Sequence, residues 1–378
     1  MTPFCTEDDL AIADTMERFA SSVIAPQAKV IDEEERFAGV HLPALADIGL
    51  TGMNLPERWG GAGASPVALY LAVEALAGAC ASTTSMLTAH YLATDAILIG
   101  GDDAQRERWL PAAARGDALG AFALTEPKAG SNPADMRTSA VAKGDVYHLN
   151  GTKHFISNAA HARFLVVFAM TDQSAASRGI SAFIVDRDAP GISISSHEPT
   201  MGLRGGHVFE VAFDNCIVPA DQRLGPEGSG FRTAMKVLDN GRVEVAATCT
   251  GMARAAVAAA RDWMKQREIG GLPIAEFQGL QWMLADMATD LEAARLLGLR
   301  AAHLRAQHTS FSQEAAMAKL FASEMAGRVI DAALQIHGGY GYSREMPLER
   351  LARDARIMRI YEGSSEIQRN IISRMLLR

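Results

Sequence analysis

Residues 119–228 interrupt two helix-forming stretches with short β-branched and aromatic runs, and this interruption limits the fold more than any other feature. On its N-terminal side the apolar periodicity predicts helices over Asp9–Ile24, Pro66–Ala79, Thr83–Ile99 and Asp103–Ala114, with Gly and Pro punctuating them. Within it lie Tyr147-His-Leu, Phe164-Leu-Val-Val-Phe, Ile180–Val185, Ile192–Ser195 and Phe209–Phe213. Turn residues separate or end these runs at Asn150-Gly151, Asp188-Ala-Pro-Gly191 and Asp214-Asn215. On the C-terminal side, residues 229–378 return to long helices rich in Ala, Leu and Met. Such an order predicts an α+β protein with a small sheet domain between two helical ones, divided at 1–118, 119–228 and 229–378.

A chain of 378 residues can bury two or three substantial cores. Its formal net charge of -8 and lack of a long basic block argue against nucleic acid as a partner. Cys5, Cys80, Cys216 and Cys249 form no CxxC pair, so neither a disulfide scaffold nor a metal site is expected, and a reducing compartment fits. The first nine residues carry acids rather than a basic segment followed by an apolar one, so no secretory leader is expected. No stretch reaches about 18 uncharged apolar residues, so no membrane span is expected either.

Four segments hold residues that could carry chemistry. Arg359-Ile-Tyr-Glu-Gly-Ser-Ser-Glu-Ile-Gln-Arg369 places Glu362 beside a glycine and just before a helix start, with Ser365 and Gln368 at capping-box spacing. Glu362 is then either a solvated N-terminal charge or an acid held near an anion-binding helix end. Phe122-Ala-Leu-Thr-Glu-Pro-Lys-Ala-Gly-Ser131 reads as an ordinary strand and turn, or as a hydroxyl, Thr125, presented where backbone approaches a ligand. In Asn150-Gly-Thr-Lys-His-Phe-Ile-Ser-Asn158 the Asn-Gly pair signals a hairpin, and alternation would set Phe155 and Ser157 on one face. After Gly230, Met235, Leu238, Val245, Cys249 and Met252 form a helical stripe that also contains Arg242, with Asp239 one turn away. That arginine is either half of a surface ion pair or a clamp for a phosphate-bearing ligand. Gln335-Ile-His-Gly-Gly339 reads as a helix C-cap, with His337 structural, and no GxGxxG or P-loop motif occurs.

Taken together these segments resemble the acyl-CoA dehydrogenase family of flavoenzymes over nearly the whole chain. The resemblance rests on Leu124-Thr-Glu-Pro, Ala129-Gly-Ser131, Phe155-Ile-Ser-Asn158, Met201-Gly-Leu-Arg204, Val218-Pro219 and Leu224-Gly225. Gly228-x-Gly-Phe231, Leu238-Asp-x-Gly-Arg242, Phe277-Gln278, Gln335-x-x-Gly-Gly339 and Tyr361-Glu-Gly363 continue it in the same order.

The resemblance implies a helical N-terminal domain, a central β domain and a C-terminal four-helix bundle, assembled as a homotetramer, with FAD as cofactor. It implies Phe122, Thr125, Phe155 and Ser157 around the flavin ring, and Ser131 shared between cofactor and substrate. Ser364 and Glu366 would lie near the FAD pyrophosphate, while Arg267, Gln278, Gln335 and Gly339 would reach the FAD of a neighbouring subunit. Asp239 and Arg242 would face the CoA side, with Tyr361 and Gly363 flanking the substrate. Glu362 matches the general base that removes the α-proton of an acyl thioester as a β-hydride leaves for the flavin. Some relatives place that base directly before the arginine, where this chain has Gly241. Gly270 stands where the family often has phenylalanine, Phe155 where it has tryptophan, and the turn after Arg204 lacks the usual serine.

The same resemblance implies an acyl-CoA substrate, a trans-2-enoyl thioester product, an electron-transfer flavoprotein as acceptor and a cytoplasmic setting. The alternatives are the same chemistry on a carrier-protein thioester, flavin oxidase or monooxygenase chemistry, and a non-catalytic binding protein of this fold.

Overall fold

The computed structural model describes residues 4–377; Met1–Pro3, which begin the stretch read for a leader, and Arg378 lie outside the described residues. Thr6 and Asp9 close a reciprocal cap on α1 (Glu7–Phe19), which continues through a π-helical turn, Ala20–Ile24, into α2 (Ala25–Glu33). After the short α3 (Leu42–Asp47), Ser65 caps α4 (Pro66–Ala79) by accepting from Ala68 N at 2.9 Å, with Pro66 in the first helical position. Residues Val67–Ala77 of α4 are all buried, so this helix is apolar all round because it sits inside the fold. α5 (Ala81–Gly100) follows, and then α6 (Asp103–Ala114), whose N-terminus carries an Asp102/Gln105 capping box.

Eight strands occupy the middle: β1 (Gly120–Ala123), β2 (Ser139–Lys143), β3 (Val146–Ser157), β4 (Phe164–Met170), β5 (Ile180–Asp186), β6 (Ile192–Ile194), β7 (Val208–Pro219) and β8 (Arg223–Leu224). The order is β6-β7-β3-β2-β4-β5-β8, with β1 pairing parallel to β4. Strand period divides β4 between two cores. Phe164, Val166 and Phe168 pack with residues of α5, α6 and the following long helix, whereas Leu165, Val167 and Ala169 pack into the opposite face. Both faces are dry, so β4 reads as a continuous apolar run.

Two turn assignments from the sequence are corrected here. Asn150-Gly151 lies inside β3 and Asp214-Asn215 inside β7, where the two strands shift register against each other between Leu149/Cys216 and Gly151/Phe213. Asn150 Oδ1 accepts from Asn215 N at 2.7 Å, so these turn-prone residues satisfy one another across a bulge rather than reversing the chain. Gly144-Asp145 makes the β2–β3 reversal instead.

Beyond the sheet come α7 (Gly230–Gln266), a small hairpin of β9 (Glu268–Ile269) and β10 (Leu272–Pro273), then α8 (Gln278–Ala306), α9 (Ser312–His337), α10 (Pro347–Arg356) and α11 (Ser365–Leu376). α7, α8, α9 and α11 form the bundle, α4 packs onto it and α1 onto α4, so the first and last helical regions share one apolar core. α7 is long and apolar enough to cross a membrane, but 72% of its apolar window is buried in this core.

Candidate functional site

Glu362 reaches its position through a backbone turn that few residues adopt. Its φ is 53° and that of Gly363 is 91°, which swings the chain from a short helical turn into α11. The side chain ends against α7 at Gly241, where an added Cβ would collide with Glu362 Oε2 and stand 3.0 Å from Cδ. The residue as a whole is half-buried, yet Oε2 is sealed from solvent and has no hydrogen-bond partner among the described residues. Burial pushes the carboxyl up to about 7, against the opposing pull of Lys319 and Arg242. The solvated-charge alternative therefore does not hold.

Lys319, on α9, was not singled out by sequence reasoning. It is fully buried, its Nζ donates to Gly363 O at 2.8 Å, and burial lowers its ammonium to about 8. The available signal was a lysine embedded among Ala315, Ala318 and Ala322 on one helix face. Gln368 Nε2 donates to Glu362 O at 3.1 Å and Gly363 O at 2.9 Å, and Ser365 Oγ donates to Glu324 Oε1 at 2.6 Å. The expected Ser365/Gln368 capping box is thus corrected: both side chains serve other acceptors, because the left-handed turn exposes two carbonyls that need donors. The N-cap, Ser364, offers no side-chain acceptor either. Among the described residues the first N–H groups of α11 thus have no N-cap side chain; half-buried Ser364 and exposed Glu366 stand beside them, and hydrogen bonds from Ser364 and from its own N–H hold the Glu366 carboxyl below its ordinary value.

On α7, Arg242 is 5% exposed and pairs with Asp239, which also accepts from Ser312 Oγ. Burial raises the Asp239 carboxyl despite these partners. The pair is interior, not a surface ion pair, and Arg242 Nε has no partner among the described residues. Half-buried Tyr361 donates to Met358 Sδ at 3.0 Å, beside Glu362.

The strand-side residues are drawn together by a buried ion pair. Lys153 Nζ donates to Glu126 Oε1 at 2.8 Å and to Leu124 O at 3.1 Å. Glu126 also accepts from Arg137 N and Thr138 N. Burial would raise Glu126, but Lys153 and these donors hold it below its ordinary value. His154 N donates to Thr125 O at 2.9 Å, so Thr125 lies alongside Phe155. Phe155 has φ 56°, is 59% exposed and stacks on His154 at 4.1 Å between centroids. This bulge, set between Lys153 and Ile156 in the pairing with β7, interrupts the pleat before Ile156, while exposed Phe155, buried Ile156 and half-buried Ser157 keep the alternation. Phe122 packs on Phe168 at 4.9 Å, Ser157 is half-buried, and Ser131 is exposed in the turn after Pro127.

Arg267, Gln278, Gln335 and Gly339 are all exposed, and among the described residues no hydrogen bond or ion pair links them to Glu362. The Arg267 guanidinium lies 5.8 Å from the Tyr340 ring, and Trp263 stacks on His337 at 5.0 Å, which puts Arg267 and Gly339 at one end of the bundle. Gly270 and Gly271 form the two-residue turn of the β9–β10 hairpin with φ 63° and 82°, a conformation phenylalanine adopts poorly. His90 accepts from Gly120 N through Nδ1 at 2.9 Å and is held neutral by burial, near 4, which is a structural role.

The residues fit a flavin. Thr125 and the exposed Phe155 ring lie in the strand region, a helix N-terminus without a side-chain cap opens α11, and the sealed carboxylate of Glu362 lies against α7.

Residues 6–117, 121–216 and 228–377 match the acyl-CoA dehydrogenase N-terminal, middle and C-terminal domains. The chain is 43% identical to acryloyl-CoA reductase (NADH) of Anaerotignum propionicum, covering 96% of this chain and 92% of that one. It is 40% identical to the short-chain specific acyl-CoA dehydrogenase of Clostridium acetobutylicum, over 99% of each. Among solved structures, butyryl-CoA dehydrogenase of Megasphaera elsdenii superposes with a TM-score of 0.97 at 39% identity, over 99% of each chain.

Proposed function

The chain belongs to the acyl-CoA dehydrogenase family, and from that premise we propose that it is an FAD-dependent enzyme that desaturates an acyl-CoA thioester between C2 and C3, with Glu362 as the base. The observation that carries the assignment of the base is the carboxylate of Glu362, sealed and unpartnered in the space that the missing side chain of Gly241 leaves open.

FAD supplies the acceptor for the β-hydride when bound. Phe122, Thr125, Ser131, Phe155 and Ser157 would hold its ring side, Ser364 and Glu366 its phosphates at the N-terminus of α11, and Arg267, Gln278, Gln335 and Gly339 the cofactor of a neighbouring subunit. Glu362 Oε2 takes the α-proton. A base near 7 is about half ionised at neutral pH, and desolvation keeps it strong. Lys319 fixes the turn through Gly363 O and offsets the charge that Glu362 carries before it accepts the proton. The Glu362 backbone N–H would donate to the thioester oxygen, where charge develops. Arg242, braced by Asp239, would meet the CoA side, with Tyr361 and Gly363 lining the acyl group. A homotetramer and an electron-transfer flavoprotein as acceptor complete this reading.

The test is anaerobic visible absorbance of the flavin with a panel of acyl-CoA thioesters. Bleaching by one of them in the wild type, and none in Glu362→Gln, is the expected result; a yellow protein that no thioester reduces would overturn it. The relative named acryloyl-CoA reductase favours a second reading, the same bond worked in the reducing direction. NADH consumption with acryloyl-CoA decides between them.

A further inference from the structure

A second buried acid lies one helical turn from the base. Glu244 follows Gly241 by three residues on α7, so it shares that helix face about 5 Å further along the axis. It is 2% exposed, and both its carboxylate oxygens are sealed from solvent without a hydrogen-bond partner among the described residues. Asp95, 1% exposed, lies three residues after Leu92 on α5. Leu92 Cδ2 is itself 2.8 Å from where a Cβ on Gly241 would stand. Asp95 accepts from Asn54 Nδ2 at 2.7 Å and Asn240 Nδ2 at 2.6 Å, so its needs are met. Arg305 of α8 stands 3.7 Å from Asp95 Oδ2 and from Glu244 Oε1, close enough to share charge but too far to donate. One guanidinium therefore serves two carboxylates, and burial, then the charge of Asp95, push the Glu244 carboxyl well above its ordinary value against the pull of Arg305, with Glu362 adding to the rise.

A purely hydrocarbon acyl chain would leave Glu244 desolvated and unsatisfied, which is costly for a neutral carboxyl and more so for a charged one. Resting on the dehydrogenase reading above, we infer that the acyl end of the site is polar and that Glu244 determines specificity by accepting a hydrogen bond from a hydroxyl or protonated nitrogen on the acyl chain of the substrate. A terminal carboxylate does not suit the site, because it would meet Glu244 and Asp95 with only Arg305 between them. Asn54 and Asn240 satisfy Asp95, whereas Glu244 has only its share of the Arg305 charge and so remains the acceptor in need of a partner.

The experiment compares the second-order rate constant of anaerobic flavin reduction by valeryl-CoA, 4-hydroxybutyryl-CoA, 4-guanidinobutyryl-CoA and succinyl-CoA, in the holoenzyme and in Glu244→Leu and Glu244→Gln. In the wild type, a 4-hydroxy or 4-guanidino chain is expected to exceed valeryl-CoA by about tenfold or more, since a site built around a polar contact discriminates against analogues lacking it. Glu244→Leu should reverse that preference. Glu244→Gln, which keeps the shape, should retain preference for the hydroxyl and lose it for the cation, so it separates the two kinds of donor and serves if the leucine variant does not fold. Preference for valeryl-CoA or succinyl-CoA in the wild type, or a ratio unchanged in both variants, overturns the inference while leaving the dehydrogenase reading intact. Reduction by no thioester at all overturns that reading, and this one with it.

Discussion

Glu362 and Gly241 compete for one volume: the Oε2 of Glu362, from the turn before α11, fills the place where a side chain on Gly241 of α7 would begin. Two elements separated by 121 residues in sequence thus define a single site for a base, and the side chain that reaches it comes from only one of them. The absence of a Cβ at position 241 is what lets the carboxylate lie against the helix without a polar partner.

Gly241→Ala should therefore cost stability and activity together. Its Cβ would meet Glu362 and, at 2.8 Å, Leu92, an overpacking that typically costs about 1–3 kcal/mol. The double variant Gly241→Glu with Glu362→Gly moves the base to the other element and should recover part of the flavin reduction that Glu362→Gly alone loses. Chemical denaturation and stopped-flow absorbance measure the two effects.

Glu362→Gln should lower the rate of flavin reduction by about 10²–10⁴, the usual contribution of a positioned base, with FAD still bound. The same variant should be less sensitive to alkaline pH. A carboxyl raised from 4.5 to about 7 in the folded state stabilises fully below 4.5, and that contribution is lost as pH rises through 7. The stability gap should thus move in favour of the variant between pH 5 and 8, by at most about 3 kcal/mol. Melting temperatures across that range check the sign.

For the wild type, the rate of flavin reduction should rise with pH through a midpoint near 7, as Glu362 ionises. Lys319 lowers the Glu362 value, so Lys319→Met should move the midpoint upward, an effect that simple loosening of the fold would not produce. The pH profile of the second-order rate constant for flavin reduction, which reports the free enzyme, distinguishes them.

Breaking the Lys153–Glu126 pair should be among the more damaging single changes in the sheet region. Both groups are buried, and removing one leaves the other uncompensated, at about 3–5 kcal/mol. Lys153→Met should also loosen Leu124-Thr125-Glu126 and weaken FAD retention, measured as flavin released on dilution. The double variant Lys153→Met/Glu126→Gln should recover part of the stability.

Periodicity and punctuation are local properties, and they made much legible in the sequence alone. The helices at Pro66–Ala79 and Asp103–Ala114, the apolar strand at Phe164 and the intrusion of Arg242 into an apolar stripe all follow from side chains a few residues apart. The segments resembling a known family drew attention to Glu362 in the same way. Tertiary structure decided the rest, because it depends on which distant groups meet in a space without water. Asn150-Gly151 and Asp214-Asn215 carry strong turn chemistry, yet they face each other within β3 and β7, where pairing across the sheet outweighs local preference. Gln368 abandons its cap because the Glu362–Gly363 turn presents carbonyls nearer to hand. Lys319, Glu244 and Asp95 carry no local motif. Their importance arises from desolvation and charge at short range, and both exist only once α5, α7, α8, α9 and the turn before α11 have packed together.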